Sequence, residues 1–462
     1  MAASWWPIRS ASASATRPAD PILARGLVIA APSSGSGKTL TTLSLLSLLR
    51  AKGVNVAGCK AGPDYIDPEF HAAATAKPCF NLDIWSMRPD TLQGLVTRQA
   101  SRADLLIVEG VMGLFDGIPG IDVGGNGSSA QLARTLGLPV LLVINAKGQG
   151  ATAGAVIEGL VRHDPAVKVA GVVFNNVGSA GHREILRDAA QTAGVPVLGY
   201  LPHVPALNVP SRHLGLVQAR EMTQLEAFFA AARTSFVDAF DLDRIIAAAG
   251  DLPSARASFK SLLPPPGQRI ALADDAAFAF TYPFHREAWV EGGAEILPFS
   301  PLNDEAPRED ADAIFLPGGY PELYAGRLAG NRRFLDGLRR AAARGTFIYG
   351  ECGGYMTLGS HLVDAKGVRH QMAGLLPVET SFAQRKLHLG YRAARQMAAT
   401  PFGPEGQAFR GHEFHYATIV AEGDAPALFT AEDARGRALG PVGRRVGSVM
   451  GSFMHLVDRE AP

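Results

Sequence analysis

Short aliphatic runs alternate with longer helical patterns from Gly26 onward. The runs are apolar on both faces, as is typical of parallel strands buried beneath helices on both sides of a sheet. They are LVIAA (27–31), VNVAG (54–58), DLLIVEG (104–110), PVLLVIN (139–145), VKVAGVVFN (167–175) and PVLGYLP (196–202), with helical patterns at 39–50, 128–137 and 181–193. This alternation predicts a doubly wound α/β domain.

A second α/β pattern begins after a proline-rich stretch. Three consecutive prolines and a glycine at 264–267 indicate a linker. The runs that follow are RIALADD (269–275), AEILPF (294–299), DAIFLPGG (312–319) and GTFIYGECGG (345–354), with a helix predicted near 331–343 and shorter antiparallel strands after about Leu362. We therefore predict a disordered tail at 1–24, a first domain at 25–205, a helical connection and linker at 206–267, and a second α/β domain at 268–462.

Composition narrows the class of protein. The 462 residues exceed what one core usually organises. The 44 basic side chains against 43 acidic ones remove the general attraction on which nucleic-acid binding depends. Three cysteines are too few for a disulfide framework, and no apolar run is long enough to span a bilayer. We expect a cytoplasmic protein that binds neither nucleic acid nor membrane. The Ala/Ser-rich start is compatible with a transit peptide, but a frayed tail is favoured.

A phosphate-binding loop follows the first predicted strand. In APSSGSGKTLTT, residues Gly35, Ser36, Gly37, Lys38 and Thr39 stand between a strand and a helix. Small residues let backbone N–H groups surround phosphate oxygens, the lysine contacts β- and γ-phosphates, and the threonine hydroxyl is an Mg²⁺ ligand. The usual first glycine of the motif is replaced by proline at position 32, a variation that resembles the dethiobiotin-synthetase-like branch of P-loop proteins.

Acidic residues end two strands of the same predicted sheet. Glu109 closes DLLIVEG, while Asp64 and Asp67 lie in CKAGPDYIDPEF, directly after VNVAG. Carboxyl ends of parallel strands share the edge at which open α/β sheets bind ligands. We expect the three carboxylates to serve metal or acyl-phosphate chemistry there, together with Thr39. Each could separately be a turn former or a helix N-cap.

A cysteine stands in a nucleophile-elbow context in the second half. GTFIYGECGGYMTLG predicts a strand, a tight turn at Cys352 and a helix, whose N-terminus would favour the thiolate. Cys59 and Cys79 lack such surroundings and are interpreted as packing residues. His455, in GSFMHLVDRE, is the predicted base.

A glycine pair follows another strand of the second half. Gly318 and Gly319 in FLPGGYPELY offer backbone N–H groups to an oxyanion, although a simple loop is the alternative. The order of PGG loop, cysteine elbow and histidine resembles a class I glutamine amidotransferase domain. The family's usual glutamate after the histidine is replaced by Val457, and Asp458 would point to the opposite face of a strand. His455 is therefore expected to lack a carboxylate partner, with modest glutaminase activity as one consequence.

The combination resembles the cobyrinic acid or hydrogenobyrinic acid a,c-diamide synthase family. The segments that carry the resemblance are APSSGSGKT, KAGPDYIDP, IVEGVMGLFDG, FLPGGYPELY, GECGGYM and GHEFHY. The resemblance implies ATP- and Mg²⁺-dependent activation of a corrin carboxylate as an acyl phosphate, with L-glutamine supplying ammonia. It implies that the c and then the a acetate side chains are amidated. It assigns no role to Tyr65, His412 or His415, and it leaves open whether the chain forms a homodimer.

Other functions stay open at this point. The substrate could be metal-free hydrogenobyrinate or cobalt-containing cobyrinate, and a nickel-sirohydrochlorin diamide synthase has related architecture. A MinD-like ATPase switch with a non-catalytic second domain is a different class. Against it, residues 32–36 contain no second lysine, and no terminal amphipathic helix is evident. Loss of glutamine hydrolysis on changing Cys352 would separate the two classes.

Overall fold

The computed structural model describes residues 24–207, 211–212, 215–252 and 263–460. The first domain is built on a sheet with the order β3-β2-β4-β1-β5-β6-β7, and these strands are parallel. Its strands are β1 (Arg25–Ala30), β2 (Val56–Ala61), β3 (Phe80–Leu82), β4 (Leu105–Glu109), β5 (Val140–Asn145), β6 (Val169–Val177) and β7 (Val197–Pro202). β1 is the central strand, with β4 on one side and β5 on the other, so the chain adds strands to the sheet in both directions from β1. A ligand crevice is expected at the carboxyl ends of strands beside such a switch point.

Helices cover both faces of this sheet. They are α1 (Lys38–Ala51), α2 (Asp67–Thr75), α3 (Pro89–Ala100), α4 (Ser129–Leu136), α5 (Thr152–His163) and α6 (Ala180–Thr192). Alternate residues of β1 enter different cores: Leu27 and Ile29 pack on one face, and Val28 packs on the other. Both faces of the sheet are buried, which explains the continuous apolar runs in the strands.

The segment between the two main sheets is partly helical. It contains a short hairpin, β8 (Ser211–Arg212) with β9 (Gly215–Leu216), then α7 (Leu225–Phe236), α8 (Leu242–Ala248) and β10 (Gly250–Asp251). β10 returns to the first sheet and pairs antiparallel with the start of β1. Of the predicted connection at 206–267, residues 208–210, 213–214 and 253–262 lie outside the described residues, as does the predicted tail except for Ala24.

The second domain has a parallel sheet that one antiparallel edge strand extends. The order is β12-β11-β13-β14-β24-β23, and β23 is the antiparallel member. The strands are β11 (Arg269–Ala273), β12 (Glu295–Phe299), β13 (Ala313–Leu316), β14 (Phe347–Glu351), β23 (Arg444–Val446) and β24 (Val449–Ser452). The helices are α9 (Pro283–Glu291), α10 (Ala325–Gly330), α11 (Arg332–Ala343) and α12 (Gly353–Leu358). Because β24 returns from far along the chain to pair with β14, residues near 452 come beside residue 351.

Two smaller sheets complete the second domain. One has the order β16-β15-β17-β20 and the other the order β22-β21-β18-β19-β25. Their strands are β15 (His361–Val363), β16 (Arg369–Gln371), β17 (Val378–Ser381), β18 (His388–Gln396), β19 (Ala408–His415), β20 (Thr418–Glu422), β21 (Phe429–Asp433), β22 (Ala438–Val442) and β25 (His455–Arg459). The predicted change to short antiparallel strands after Leu362 is therefore observed. No helix in the described ranges is long and apolar enough to cross a membrane.

The predicted two-domain α/β class is confirmed, and the strand positions agree to within a few residues. Helices α2, α3 and α5 and the edge strand β3 were not predicted. Tyr282, Phe284 and Val457 of the second domain join one core of the first sheet, and Phe280 and Tyr320 join the other. The two domains therefore share apolar contacts in the region where both sites lie.

Candidate active sites

The phosphate loop closes tightly against a neighbouring strand. Gly35 and Gly37 have φ values of 77° and 96°, which favour glycine. A Cβ on Gly37 would lie 2.1 Å from Nδ2 of Asn175, so another residue there would have to displace the Asn175 side chain as well as adopt a strained φ. The Asn175 amide donates to the Ser36 carbonyl (3.2 Å), and the Ser36 hydroxyl donates to the Ser33 carbonyl (2.9 Å). These two hydrogen bonds hold the loop against β6 and against its own backbone.

This loop borders a hollow of about 770 Å³ at the carboxyl ends of the strands. The predicted residues that line it are Gly35, Gly37, Lys38, Thr39, Asp64, Asp67 and Glu109. Lys38 donates hydrogen bonds to the backbone carbonyl of Met112 and, at 3.4 Å, to that of Ser33. Burial lowers the pKa of Lys38. Because carbonyls rather than a carboxylate hold this ammonium, a phosphate oxygen can replace them.

Thr39 begins a buried chain of polar side chains. Its hydroxyl donates to Glu109 Oε1 (2.6 Å), and His71 Nε2 lies 2.7 Å from Glu109 Oε2. Burial acts to raise the pKa of Glu109, but its contacts with His71, together with the charge of Lys60 and the hydrogen bond of Thr39, outweigh burial, and the pKa falls below its usual range. Glu109 is thus held as a carboxylate. Sequence reasoning missed His71, although its position four residues after Asp67 on a helix signals a shared face.

A second residue missed from the sequence, Lys60, lies among the carboxylates. Its ammonium donates to the Gly110 carbonyl (3.1 Å) and lies 3.8 Å from Asp67 Oδ2. Burial, with the negative charges of Asp64 and Glu109, raises the pKa of Asp67 well above its usual range. Asp64 accepts a hydrogen bond from the Ile66 N–H (2.8 Å), so it also forms the predicted turn. No group of three or more His, Cys, Asp or Glu side chains in the described ranges is arranged to hold a metal by itself.

Cys352 occupies the strained turn that the sequence predicts. Its φ is 47° and its ψ is −102°, between the end of β14 and the start of α12. A Cβ on Gly354 would lie 2.0 Å from the Leu316 carbonyl oxygen, which explains the flanking glycine. Strain of this kind in a non-glycine residue is typical of functional sites.

The thiol of Cys352 is 2% exposed. Burial raises its pKa, and the nearby Glu322 carboxylate raises it further. The predicted thiolate-favouring effect of the helix N-terminus is therefore outweighed in this structure. The thiol needs a base to remove its proton.

The glycine pair predicted as an oxyanion loop lies between the elbow and the histidine. A Cβ on Gly318 would lie 2.4 Å from His455 Cε1 and 3.3 Å from its Nε2. A Cβ on Gly353 would lie 3.2 Å from the Gly319 nitrogen. The fold thus brings the predicted Gly318, Gly319, Cys352 and His455 into one region, with the imidazole Nε2 edge facing the loop.

His455 has a carboxylate neighbour, contrary to the expectation from the sequence. Glu351 Oε2 lies 3.7 Å from His455 Nδ1, and the other oxygen of Glu351 accepts a hydrogen bond from the Leu456 N–H (3.1 Å). The pairing of β14 with β24 brings Glu351 opposite Ser452, three residues before the histidine. The carboxylate therefore comes from the residue before the nucleophile, whereas the usual glutamate of the family follows the histidine.

Asp458 has a different role. Its carboxylate is 1% exposed and accepts hydrogen bonds from the Arg88 side chain (3.0 and 3.1 Å) and from the Arg88 backbone N–H (2.9 Å). Arg88 belongs to the first domain. Asp458 thus forms an ion pair between the domains instead of serving His455.

The two histidines of GHEFHY are buried, and His412 packs directly on His455. His412 stacks on His455 with ring centroids 4.9 Å apart. Burial and the neighbouring His455 lower the pKa of His412 well below its usual range. Burial also lowers the pKa of His415 to about 3, and its ring stacks on Phe453 at 3.9 Å. Both are neutral packing partners.

Comparison with known proteins identifies the family of each half of the chain. The CobQ/CobB/MinD/ParA nucleotide binding domain matches residues 27–217, and the CobB/CobQ-like glutamine amidotransferase domain matches residues 269–461. Hydrogenobyrinate a,c-diamide synthase of Brucella anthropi is 51% identical over 94% of this chain and 98% of its own length. The chain belongs to the hydrogenobyrinate a,c-diamide synthase family. The synthases of that name from Mesorhizobium japonicum and Agrobacterium fabrum are 50% and 48% identical, each over 94% of this chain and 99% of their own length.

Family membership decides between the classes that the sequence left open. The expectation of a nucleotide-using, glutamine-dependent amidoligase of cobalamin biosynthesis is confirmed. The alternative of a switch with a non-catalytic second domain is set aside, because the synthases match along almost the whole chain.

The first testable prediction concerns the carboxylate of Glu351, which lies near His455. The substitution Glu351→Gln removes the charge that stabilises a protonated imidazole, so we expect kcat for glutamine hydrolysis during full turnover to fall at least about tenfold. Asp458→Asn is the matched control and should hydrolyse glutamine normally per folded molecule. A normal rate in Glu351→Gln, or a comparable loss in Asp458→Asn, would contradict this assignment.

A second prediction concerns Arg88, whose side chain pairs with the buried Asp458 carboxylate. The substitution Arg88→Met leaves the buried Asp458 carboxylate without its partner, so we expect the free energy of unfolding to fall by about 3 kcal/mol. Urea unfolding followed by circular dichroism measures the change. Arg308→Met, at an exposed surface pair with Asp310, should change stability little. Equal unfolding midpoints for the two variants would argue against a stabilising role of the Arg88 pair.

Proposed function

We propose that this ligase converts the a and c acetate side chains of hydrogenobyrinate to carboxamides, with ATP and glutamine as co-substrates. The observation that carries the proposal is the pairing of two separate sites in one chain, a phosphate hollow at Lys38 and a thiol elbow at Cys352. The relatives' shared name supports the metal-free substrate over cobyrinate or a nickel tetrapyrrole. Because ATP and glutamine are cytoplasmic metabolites, we place the reaction in the cytoplasm.

The first half-reaction activates a carboxylate. A carboxylate oxygen attacks the γ-phosphorus of ATP, the bond to the bridging oxygen breaks, and ADP leaves. Lys38 and the loop N–H groups hold the phosphates and stabilise the charge that develops on them. Asp64, Asp67 and Lys60 line the part of the hollow where the acyl group is placed. Ammonia then attacks the acyl carbon, inorganic phosphate leaves, and a proton is lost to give the amide.

The donor set in the hollow fits Mg²⁺ that arrives with ATP. Mg²⁺ prefers hard oxygen ligands and usually takes only one or two from the protein, while phosphates and water supply the rest. Thr39 and Glu109 present such oxygens 2.6 Å apart, and Glu109 is held ionised. These two residues would bind the ion, which would neutralise phosphate charge. His71 orients Glu109 for that task.

The second half-reaction releases ammonia. His455 Nε2 takes the proton of the Cys352 thiol, and the thiolate attacks the carboxamide carbon of glutamine. Gly318 and Gly319 present N–H groups to the oxyanion, and the imidazolium gives its proton to the departing nitrogen. Water then hydrolyses the thioester to glutamate. Burial of Cys352 keeps the thiol protonated until the base acts.

The substrate assignment is tested by incubation with ATP, Mg²⁺, glutamine and one corrin acid at a time, followed by mass spectrometry. We expect hydrogenobyrinate to give a monoamide and then a diamide, with one ADP released per amide. Amidation of cobyrinate or nickel-sirohydrochlorin in preference to hydrogenobyrinate would replace the proposed substrate. No amide from any of the three would overturn the proposed function.

A further inference from the structure

Met112 is an exposed apolar residue at the edge of the polar phosphate hollow. It lines the hollow, and 54% of its surface is exposed. Two other apolar residues of the lining differ from it, because Leu207 is 4% exposed and Val111 is half-buried. Single apolar side chains are common on protein surfaces, so exposure by itself assigns Met112 no function.

The backbone at Met112 supplies a second observation. Its φ is 52°, in the left-handed region that a side chain occupies only at a steric cost. This turn is held on both sides: the Met112 carbonyl accepts a hydrogen bond from Lys38, and the Leu114 N–H donates to the Ala31 carbonyl (2.8 Å). Glycine adopts such a φ without strain. The fold therefore requires the backbone conformation at this position but not a methionine side chain.

The chemistry of the substrate brings a macrocycle close to this turn. In the proposed reaction the activated carboxylate belongs to an acetate arm, in which a single methylene separates the carboxyl carbon from the ring. The ring carbon therefore lies within about 4 Å of the oxygen that attacks the γ-phosphorus. Lys38 holds that phosphate in the proposed mechanism, and Lys38 contacts the Met112 carbonyl. The edge of the macrocycle thus reaches the mouth of the hollow, where Met112 stands.

The charged part of the hollow does not suit the ring itself. Lys60, Asp64, Asp67 and Glu109 line this part, which fits phosphates and the acyl group. A corrin has a broad carbon surface between its carboxylate arms, and covering that surface with apolar atoms is favourable in water. Methionine is unbranched and polarisable, so it adapts to a surface of irregular shape. Met112 places such a side chain beside the charged groups.

We propose that Met112 is a specificity-determining residue that packs on the macrocycle of the corrin substrate while one acetate arm enters the hollow. The strained φ at this position is retained because glycine would lose this contact. The inference rests on the proposed function, because it takes a hydrogenobyrinate carboxylate as the group that is activated beside Lys38. Recognition of ATP and glutamine does not depend on the Met112 side chain.

The test measures KM for each of the three substrates in the full-length enzyme. In Met112→Ala we expect KM for hydrogenobyrinate to rise about tenfold, because most of the apolar contact is lost. KM for ATP, KM for glutamine and kcat should stay within about twofold of the wild type, as loss of uniform binding requires. Met112→Leu keeps an apolar side chain of similar volume and should have a KM close to that of the wild type.

Two further variants separate the side chain from the backbone. Met112→Gly should raise KM for hydrogenobyrinate as much as Met112→Ala does, but its melting temperature should exceed that of Met112→Ala by about 2 °C, because glycine relieves the strained φ. Thermal unfolding followed by circular dichroism measures this difference. Met397 is 41% exposed and lies outside the hollow, so Met397→Ala should leave all three KM values unchanged.

Several results would overturn the assignment of Met112. They are an unchanged KM for hydrogenobyrinate in Met112→Ala, an equal rise in KM for ATP, a fall in kcat alone, or an equal loss in Met112→Leu. A glycine variant that melts no higher than the alanine variant would show that the φ is not strained, which also contradicts the proposal. Diamide formation from hydrogenobyrinate by the wild-type enzyme tests the proposed function independently. If diamide forms while KM in Met112→Ala is unchanged, only this inference fails.

Discussion

Cys352→Ala is expected to abolish amidation with glutamine while leaving amidation with ammonia intact. The Cys352 sulfur is the only atom that the proposed mechanism uses to attack the carboxamide, so the glutamine-dependent rate should fall by at least about 10³-fold. The residues that line the hollow at Lys38 lie between positions 34 and 207, outside the second domain, so the hollow does not depend on the thiol. Product formation with glutamine and with ammonium chloride at alkaline pH, followed by mass spectrometry, measures both rates.

A second buried cysteine supplies the control for this experiment. Cys59 is fully buried in a core of the first sheet, so Cys59→Ala should keep both activities in the folded protein. If Cys352→Ala loses the ammonia-dependent reaction as well while it remains folded, the division of labour between the two domains is wrong. If it keeps the glutamine-dependent reaction, Cys352 is not the nucleophile.

Lys38→Met is expected to have the opposite pattern, with amidation lost from both nitrogen sources. In the proposed mechanism the Lys38 ammonium exchanges its contacts with backbone carbonyls for contacts with phosphate. Methionine cannot supply that positive charge, so the amidation rate should fall about 10²- to 10³-fold. Basal glutamine hydrolysis without ATP should persist, because Cys352 and His455 are unchanged. ADP release and amide formation with ammonia are the measurements.

The exposed Lys52, just after the C-terminal end of the same helix, provides the matched substitution. Lys52→Met removes a lysine at the other end of α1 without changing the hollow, and it should amidate at the wild-type rate. Amide formation by Lys38→Met near the wild-type rate would show that Lys38 does not bind the transferred phosphate. Equal losses in the two variants would point to a general effect of removing a charge.

Local features of both sites could be predicted from short stretches of sequence. Gly35 and Gly37 have positive φ values in the phosphate loop, and Cys352 has a φ of 47° in the elbow beside glycines. Backbone conformation of this kind depends largely on the residues at those positions, so both sites leave a pattern of glycines, a strand before them and a helix after them. For the same reason the α/β class and most strands follow from apolar runs.

Helices whose surroundings are supplied by the tertiary structure were harder to predict. α2 follows a Gly-Pro turn and carries His71 among small residues, and α5 begins after glycine-rich sequence without a side-chain cap. Their stability comes from packing against neighbouring elements, α2 against α1 and β2 and α5 against α6, rather than from local signals. The edge strand β3 is only three residues long, which is too short for a period to be recognised.

The sequence by itself determined the phosphate loop, the cysteine elbow, their order along the chain and the α/β class. Backbone shape and strand burial leave local patterns of residues. Only the tertiary structure decided which groups meet at His455. Glu351 is brought there by the pairing of β14 with β24, and Tyr65 is brought there by the contact between the domains. Asp458, the nearer carboxylate in sequence, is directed to Arg88. Contacts between residues far apart in the chain depend on strand order and domain packing, which no short spacing records.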